Sequence, residues 1–297
     1  MKNIAVVGAG SMGIGIAHIF ALHGFQVNLI ARTADSIDKA IEVISGNFDR
    51  QVSKGSISAG DKKESLSNIH SFTSLAAGVA NADLVVESIT ENIDLKRQLF
   101  AELDQLCKPE TILASNTSSI SISKIGSGLR RADKVIGMHF MNPVPLMPVV
   151  EIIRGFTTSD EVTVSIINLT KQLGKVPVEV NDYPGFVASR LLATFINEAI
   201  YALHENVAGV KEIDTLIQLG MSHPYGPLRL ADFVGLDVVL NVLRFLNREF
   251  RNPKYMPCPL LEEMVQGGNV GQKSGTGFYE YIKGSGEINV APRFKKL

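Results

Sequence analysis

The apolar run IAVV ends at residue 7 and passes directly into Gly8-x-Gly10-x-x-Gly13, which opens a helical stretch reaching to near Gly24 before a second apolar run, QVNLI. Strand, glycine turn, helix and strand make a βαβ unit with the glycine spacing of a dinucleotide fold. Gly8 allows the tight turn, Gly10 lets backbone approach a pyrophosphate, and Gly13 permits close packing of the helix. The N–H groups that open the helix, around Ser11 and Met12, are placed to meet the phosphates. The glycine pattern alone is weak evidence; in this context dinucleotide binding outweighs a purely structural turn.

The alternation continues down the chain. Asp35 is placed to cap a helix over SIDKAIEVISGNFDRQV, and buried strands are expected at DLVVESI, TILAS and KVIGMHF, with LKRQLFAELDQLC helical between the first two. SDEVTVSIINLTKQLG follows as helix and VPVEVN as strand. Such alternation predicts an α/β fold: a Rossmann-type, doubly wound, mostly parallel sheet. The character changes near Tyr183-Pro184-Gly185, after which no strand run stands out. Leu191, Leu192, Phe195, Ile196, Ala199, Ile200 and Leu203 recur at helical spacing, and LRLADFVGLDVVLNVLRFLNREF reads as a second long helix. The expected domains are therefore residues 1–183, binding a dinucleotide, and a smaller all-helical domain, 184–297. A chain of 297 residues suits two domains.

Composition narrows the function. With 29 basic and 30 acidic residues the chain lacks the basic footprint of nucleic-acid binding. Two cysteines, Cys107 and Cys258, make neither a disulfide framework nor a metal site, so no metal is expected. No apolar run reaches the roughly 18 residues of a membrane span, and MKNIAVVG lacks the h-region of a signal peptide. The expectation is a soluble, cytoplasmic protein with buried thiols and no membrane partner.

Within this frame a few polar residues stand out. KVIGMHFMNPVPLMPVVEIIRG sets His139 and Glu151 in two apolar runs joined by a loop with Pro143, Pro145 and Pro148. Glu151 is placed to accept a hydrogen bond from one imidazole nitrogen, leaving the other to take a proton. The alternative is a structural pair satisfying itself in the core; a dinucleotide fold upstream tips the balance toward acid/base chemistry. Ser115-Asn116-Thr117-Ser118-Ser119 follows the strand TILA at its carboxyl end, where ligands bind in doubly wound sheets, so Asn116 or Ser118 is expected to face a ligand. Glu87, Glu91 and Lys96 read, from the residues alone, as a solvated helix start. At the end of the second strand, where an acidic residue would bond an adenosine ribose, stands Ala31, followed by Arg32 and Thr33. A guanidinium with a hydroxyl suits a 2′-phosphate, which favours NADP(H) over the alternative NAD(H); solubility alone is the competing reason for an exposed arginine.

Taken together, VVGAGSMGIGIA, ADLVVESITEN, ILASNTSSISI, VIGMHFMNPVPLMPVVEIIRG, DYPGFVASRLL, YGPLRLADFVGLD and GQKSGTGFYEY resemble the L-3-hydroxyacyl-CoA dehydrogenase family, in order and over nearly the whole chain, particularly its bacterial members acting on 3-hydroxybutyryl-CoA. The resemblance implies an oxidoreductase for acyl-CoA substrates with His139 as base, Glu151 orienting it, and Ser118 contacting the reacting oxygen and the nicotinamide side. It implies a substrate-side role for Asn142, cofactor contacts for Glu91, Lys96 and Lys273, overriding the solvated reading of the first two, and a place for Lys54 near the coenzyme A phosphates. It also implies that the helical domain walls the substrate cleft and forms a homodimer. Two positions depart from the family pattern. Ser189 stands where PGFxxNR has asparagine, and is expected to share in holding the carbonyl oxygen; Ala31 stands where an aspartate marks NAD. The alternatives are a dehydrogenase of a free hydroxy acid or sugar acid on the same fold, or a dinucleotide-binding protein without turnover.

Overall fold

Valine, isoleucine and leucine mark seven short runs, and each becomes a strand of one eight-stranded sheet. The computed structural model describes residues 1–282 and 288–295, and the chain divides into two compact units, Met1–Tyr183 and Pro184–Leu297. In the first, β1 (Asn3–Val7), α1 (Ser11–Leu22), β2 (Gln26–Ile30), α2 (Ala34–Ser53), α3 (Ala59–Ser67), β3 (Ile69–Phe72), α4 (Leu75–Val79), β4 (Leu84–Glu87), α5 (Ile93–Leu106), β5 (Ile112–Ser115), α6 (Ile122–Gly126), β6 (Val135–Phe140), β7 (Val149–Arg154), α7 (Asp160–Gln172) and β8 (Val176–Asn181) follow in turn. The sheet runs β3-β2-β1-β4-β5-β6-β7-β8. Every neighbouring pair is parallel except β6 and β7. Strand order reverses between β1 and β4, the crevice where doubly wound sheets take their ligands.

Local chemistry explains most boundaries. The cap of α2 is Thr33, whose hydroxyl accepts from Ser36 N, rather than the expected Asp35, which lies one residue inside the helix and pairs with Lys39. A β-branched hydroxyl at the extended residue before the helix satisfies an orphan N–H; the carboxylate in the first turn serves only the dipole. β3, unforeseen, is an edge strand with half-buried Ile69 and Phe72 enclosing exposed His70 and Ser71.

The core of this unit stacks Ile4, Val6, Ile16, Phe20, Leu29 and Val86 between sheet and helices. His18 on α1 is fully buried within it, stacked on Phe48 of α2, with Nε2 against Gln51 Oε1 at 3.1 Å. Burial pushes its pKa down to about 4, with the Gln51 bond opposing and His23 adding to the fall. The fold therefore holds the neutral imidazole, and this contribution is whole above about pH 6.5 and lost as pH falls through 4. A shift of this size is worth on the order of 3 kcal/mol. Between pH 7 and 4.5, urea unfolding should show the wild type losing about 2–3 kcal/mol more than His18→Leu; equal losses would remove His18 as an acid-sensitive element.

The second unit contains α8 (Ala188–His204), α9 (Val210–Thr215), α10 (Pro227–Val234), α11 (Leu236–Phe250) and α12 (Pro259–Gln266), with a small antiparallel pair, β9 (Tyr279–Tyr281) and β10 (Ile288–Val290). Its own core gathers Ile196, Ile200, Leu228, Leu240, Leu243, Leu261 and Phe278. The expected second long helix is two, because Gly235 adopts φ +101°, outside the helical region, and turns the chain between α10 and α11. Both cysteines are buried free thiols. Among the described residues no helix is long and apolar enough to cross a membrane, and none group as metal ligands.

Candidate active site

The glycine turn after β1 has a shape that larger residues could not share. Gly8 has φ +118°, and a Cβ there would stand 2.3 Å from the Ser88 carbonyl oxygen beyond β4; a Cβ on Gly13 would meet Gly8 O at 1.9 Å. The turn is thus pressed into the β1/β4 crevice and α1 against the turn. Nothing lies within 4 Å of where a Gly10 Cβ would be, and no side chain caps α1. An open glycine surface beside uncapped helix N–H groups at Ser11, Met12 and Gly13 fits a dinucleotide pyrophosphate.

At the end of β2, Ala31 is half-buried, its N–H donating to Phe72 O at 3.2 Å, while Arg32 and Thr33 are exposed. Thr33 Oγ1 is engaged as the α2 cap and lies 2.7 Å from Ser36 Oγ. Lys54, at the C-cap of α2, is exposed.

The acids and lysine after β4 form an ordered network. Lys96 is 1% and Glu87 0% exposed; Lys96 Nζ donates to Glu87 Oε1 at 2.6 Å and lies 3.3 Å from Glu91 Oε2. The solvated reading of this segment fails for Glu87 and Lys96, whose opposite charges are buried against each other. Ser115 Oγ donates to Glu87 Oε2 at 2.6 Å. Glu91 Oε1 accepts from Thr117 Oγ1 at 2.5 Å, Ser118 N at 3.1 Å and Ser119 Oγ at 3.2 Å. The loop after β5 is thereby pinned to the loop after β4. A buried pair of this kind is weak evidence for stability, but losing either partner strands a charge. Thr117 was not distinguishable in the sequence among the hydroxyls of its run, and for the buried place of Glu87 a lone acid closing the apolar run of β4 was the one signal.

Loop 115–119 is tied in turn to β6, since Asn116 Oδ1 accepts from Phe140 N at 2.9 Å. The neighbouring residue is His139. Register pairs His139 directly with Glu151 across the antiparallel β6–β7 pair, which sets the two side chains on one face. His139 Nδ1 lies 2.7 Å from Glu151 Oε2, the residues 9% and 3% exposed. A carboxylate only accepts, so Nδ1 carries the proton of this bond, and Nε2 is the ring nitrogen that this bond does not use. Asn142 is exposed in the loop joining the two strands. The structure thus brings together the glycine turn, Glu91, Lys96, Asn116, Ser118, His139 and Glu151 in the first unit. Ser189 lies on α8 of the second unit, and Lys273, half-exposed and 2.6 Å from Asp237, lies in that unit's short helical turn Gln272–Ser274.

Two family models match the chain: 3-hydroxyacyl-CoA dehydrogenase, NAD binding domain, over residues 3–183, and 3-hydroxyacyl-CoA dehydrogenase, C-terminal domain, over residues 185–281. A probable 3-hydroxybutyryl-CoA dehydrogenase of Bacillus subtilis is 44% identical over 281 residues, covering 95% of this chain and 98% of its own. The 3-hydroxybutyryl-CoA dehydrogenase of Clostridioides difficile is 45% identical over 281 residues, 95% of this chain and 100% of its own. The crystal structure of (S)-3-hydroxybutyryl-CoA dehydrogenase from Ralstonia eutropha superposes with a TM-score of 0.92 at 43% identity, covering 95% of this chain and 100% of that one.

Proposed function

The chain belongs to the 3-hydroxyacyl-CoA dehydrogenase family, and from that premise we propose that it interconverts (3S)-3-hydroxyacyl-CoA and 3-oxoacyl-CoA, with 3-hydroxybutyryl-CoA and acetoacetyl-CoA as its substrates. The observation that carries the reading is the buried His139–Glu151 pair, 2.7 Å apart, on the same unit as the uncapped glycine turn. In the oxidative direction His139 Nε2 takes the proton of the 3-hydroxyl, and Glu151 stabilises the imidazolium through Nδ1. A bound nicotinamide cofactor supplies the hydride acceptor for C3. Ser118, its backbone held by Glu91, stands for the donor to the developing carbonyl oxygen. Asn142 and the exposed Lys54 are assigned to the substrate, Lys54 to its phosphates. On the cofactor, Ala31, Arg32 and Thr33 favour NADP(H). Cytoplasmic residence, in keeping with the buried free thiols, and a homodimer complete the reading.

The test is oxidation of reduced cofactor with acetoacetyl-CoA and, separately, with free 3-oxo acids and sugar-acid analogues. Turnover confined to the CoA ester is expected; turnover of free acids alone would transfer the fold to another substrate, and none at all would leave a binding protein.

Ser189 enters through its departure from the family's asparagine. If its hydroxyl serves the reaction in place of the amide, Ser189→Ala lowers kcat about tenfold, less than the 10² or more of a direct oxyanion donor, and Ser189→Asn is tolerated. An alanine variant kinetically indistinguishable from wild type would show the position to be idle.

A further inference from the structure

The loop between the proposed base and its carboxylate, residues 141–148, contains Pro143, Pro145 and Pro148 and therefore has few N–H groups with which to hold itself. Two that remain, on Leu146 and Met147, both donate to Pro143 O at 3.0 Å. The carbonyls are held from elsewhere, by the start of β8. Lys175, 7% exposed, donates from Nζ to Val144 O and to Met147 O, each at 2.7 Å, and the next residue, Val176, donates its N–H to Pro148 O at 2.7 Å. The loop also rests on the dinucleotide helix: a Cβ at Gly15 would stand 2.7 Å from Val144 Cβ. The bare face of α1 at Gly15 and the ammonium of Lys175 thus both hold the loop at Val144.

We propose that Lys175 is a positioning residue for the proposed dehydrogenase reaction: its buried ammonium sets the 141–148 loop, and through it Asn142 and the mutual register of His139 and Glu151. Three observations converge on this. The loop begins directly after the strand bearing His139 and ends directly before the strand bearing Glu151, so a shift in it changes both. Its carbonyls receive charge-assisted bonds, which hold geometry more tightly than neutral ones. Burial also lowers the Lys175 pKa, so the fold bears a desolvation cost to keep this group where it is.

This rests on the proposed function, and the experiment separates the two. Lys175→Met is compared with wild type in turnover of acetoacetyl-CoA, in affinity for reduced cofactor by fluorescence titration, and in amide exchange of the 141–148 peptide. The expected result is a fall of about 10- to 100-fold in kcat/KM, as for a small misplacement of reacting groups, with cofactor Kd within about twofold and faster exchange confined to the loop. Lys175→Arg, which keeps the charge and donors, should recover most of the loss. Should methionine prevent folding, Lys175→Gln is read in the same way. Wild-type kcat and KM in a folded Lys175→Met protein would overturn the assignment, as would a loss of turnover matched by an equal loss of cofactor sites. If wild type itself leaves acetoacetyl-CoA unturned, the substrate reading falls, and exchange alone decides: faster loop exchange upholds Lys175 as the clamp, and unchanged exchange rejects it.

Discussion

His139→Gln is expected to bind reduced cofactor as wild type does and to turn over acetoacetyl-CoA at least about 10²-fold more slowly, the loss that follows removal of a positioned acid/base. The separation follows from the fold. The glycine turn closes β1 at the switch point, while His139 lies on β6 and is packed against Glu151 of β7; a glutamine of similar reach leaves the sheet register intact. The amide can still donate or accept one hydrogen bond near the substrate hydroxyl, but it cannot take its proton. Glu151→Gln should cost less, on the order of tenfold, because the base remains and the amide oxygen can still accept from Nδ1. What it loses is the negative charge that steadies the imidazolium. Steady-state kinetics with cofactor binding measured in parallel make the comparison, and near-wild-type turnover by His139→Gln would remove it as the base.

The parts of this site legible in the sequence are those whose signal is local. Gly8, Gly10 and Gly13 are separated by a few residues, Gly8 and Gly13 each answering a steric demand of one turn and Gly10 leaving its surface open, so the motif and its chemistry could be read together. His139 and Glu151 are twelve residues apart and could be matched because a proline-rich loop returns the chain between two apolar runs. That their strands pair antiparallel inside an otherwise parallel sheet depends on tertiary packing. Other features were invisible for physical reasons. β3 is an edge strand whose two central residues face water, so it carries almost no hydrophobic pattern. Lys96 in the first turn of a helix looks solvated until a buried Glu87 is placed beneath it. Lys175 gives no signal of its own; only the shortage of N–H donors in the loop it holds indicates that some side chain must supply them. Asp35 yielded its capping role to Thr33 because either residue type suits the position and the backbone decides which one stands outside the helix.

Cofactor choice turns on the end of β2, where this chain departs most from the family pattern. An aspartate there would bond the ribose hydroxyl and repel a 2′-phosphate; Ala31 does neither. Loss of repulsion alone gives tolerance, so a preference for NADPH has to come from the neighbours. Thr33 Oγ1 already accepts the Ser36 N–H as a helix cap, which leaves it a minor partner. Asp35 opposes a phosphate, but it is exposed and neutralised in part by Lys39 at 2.8 Å, and such exposed charges are well screened. The exposed Arg32 is therefore the residue from which such a preference is expected. A charge-assisted pair of guanidinium and phosphate is worth roughly 1.5 to 3 kcal/mol, or about tenfold to 150-fold in affinity. NADPH is accordingly expected to be used at least as well as NADH, and Ala31→Asp with Arg32→Ala should shift the ratio of kcat/KM values toward NADH by about that factor. The measurement is the ratio in both proteins, since a ratio cancels any general loss of activity. A wild type strongly preferring NADH, with no shift in the double variant, would mean that Arg32 reads no phosphate and that Ala31 is a neutral replacement of the family's aspartate.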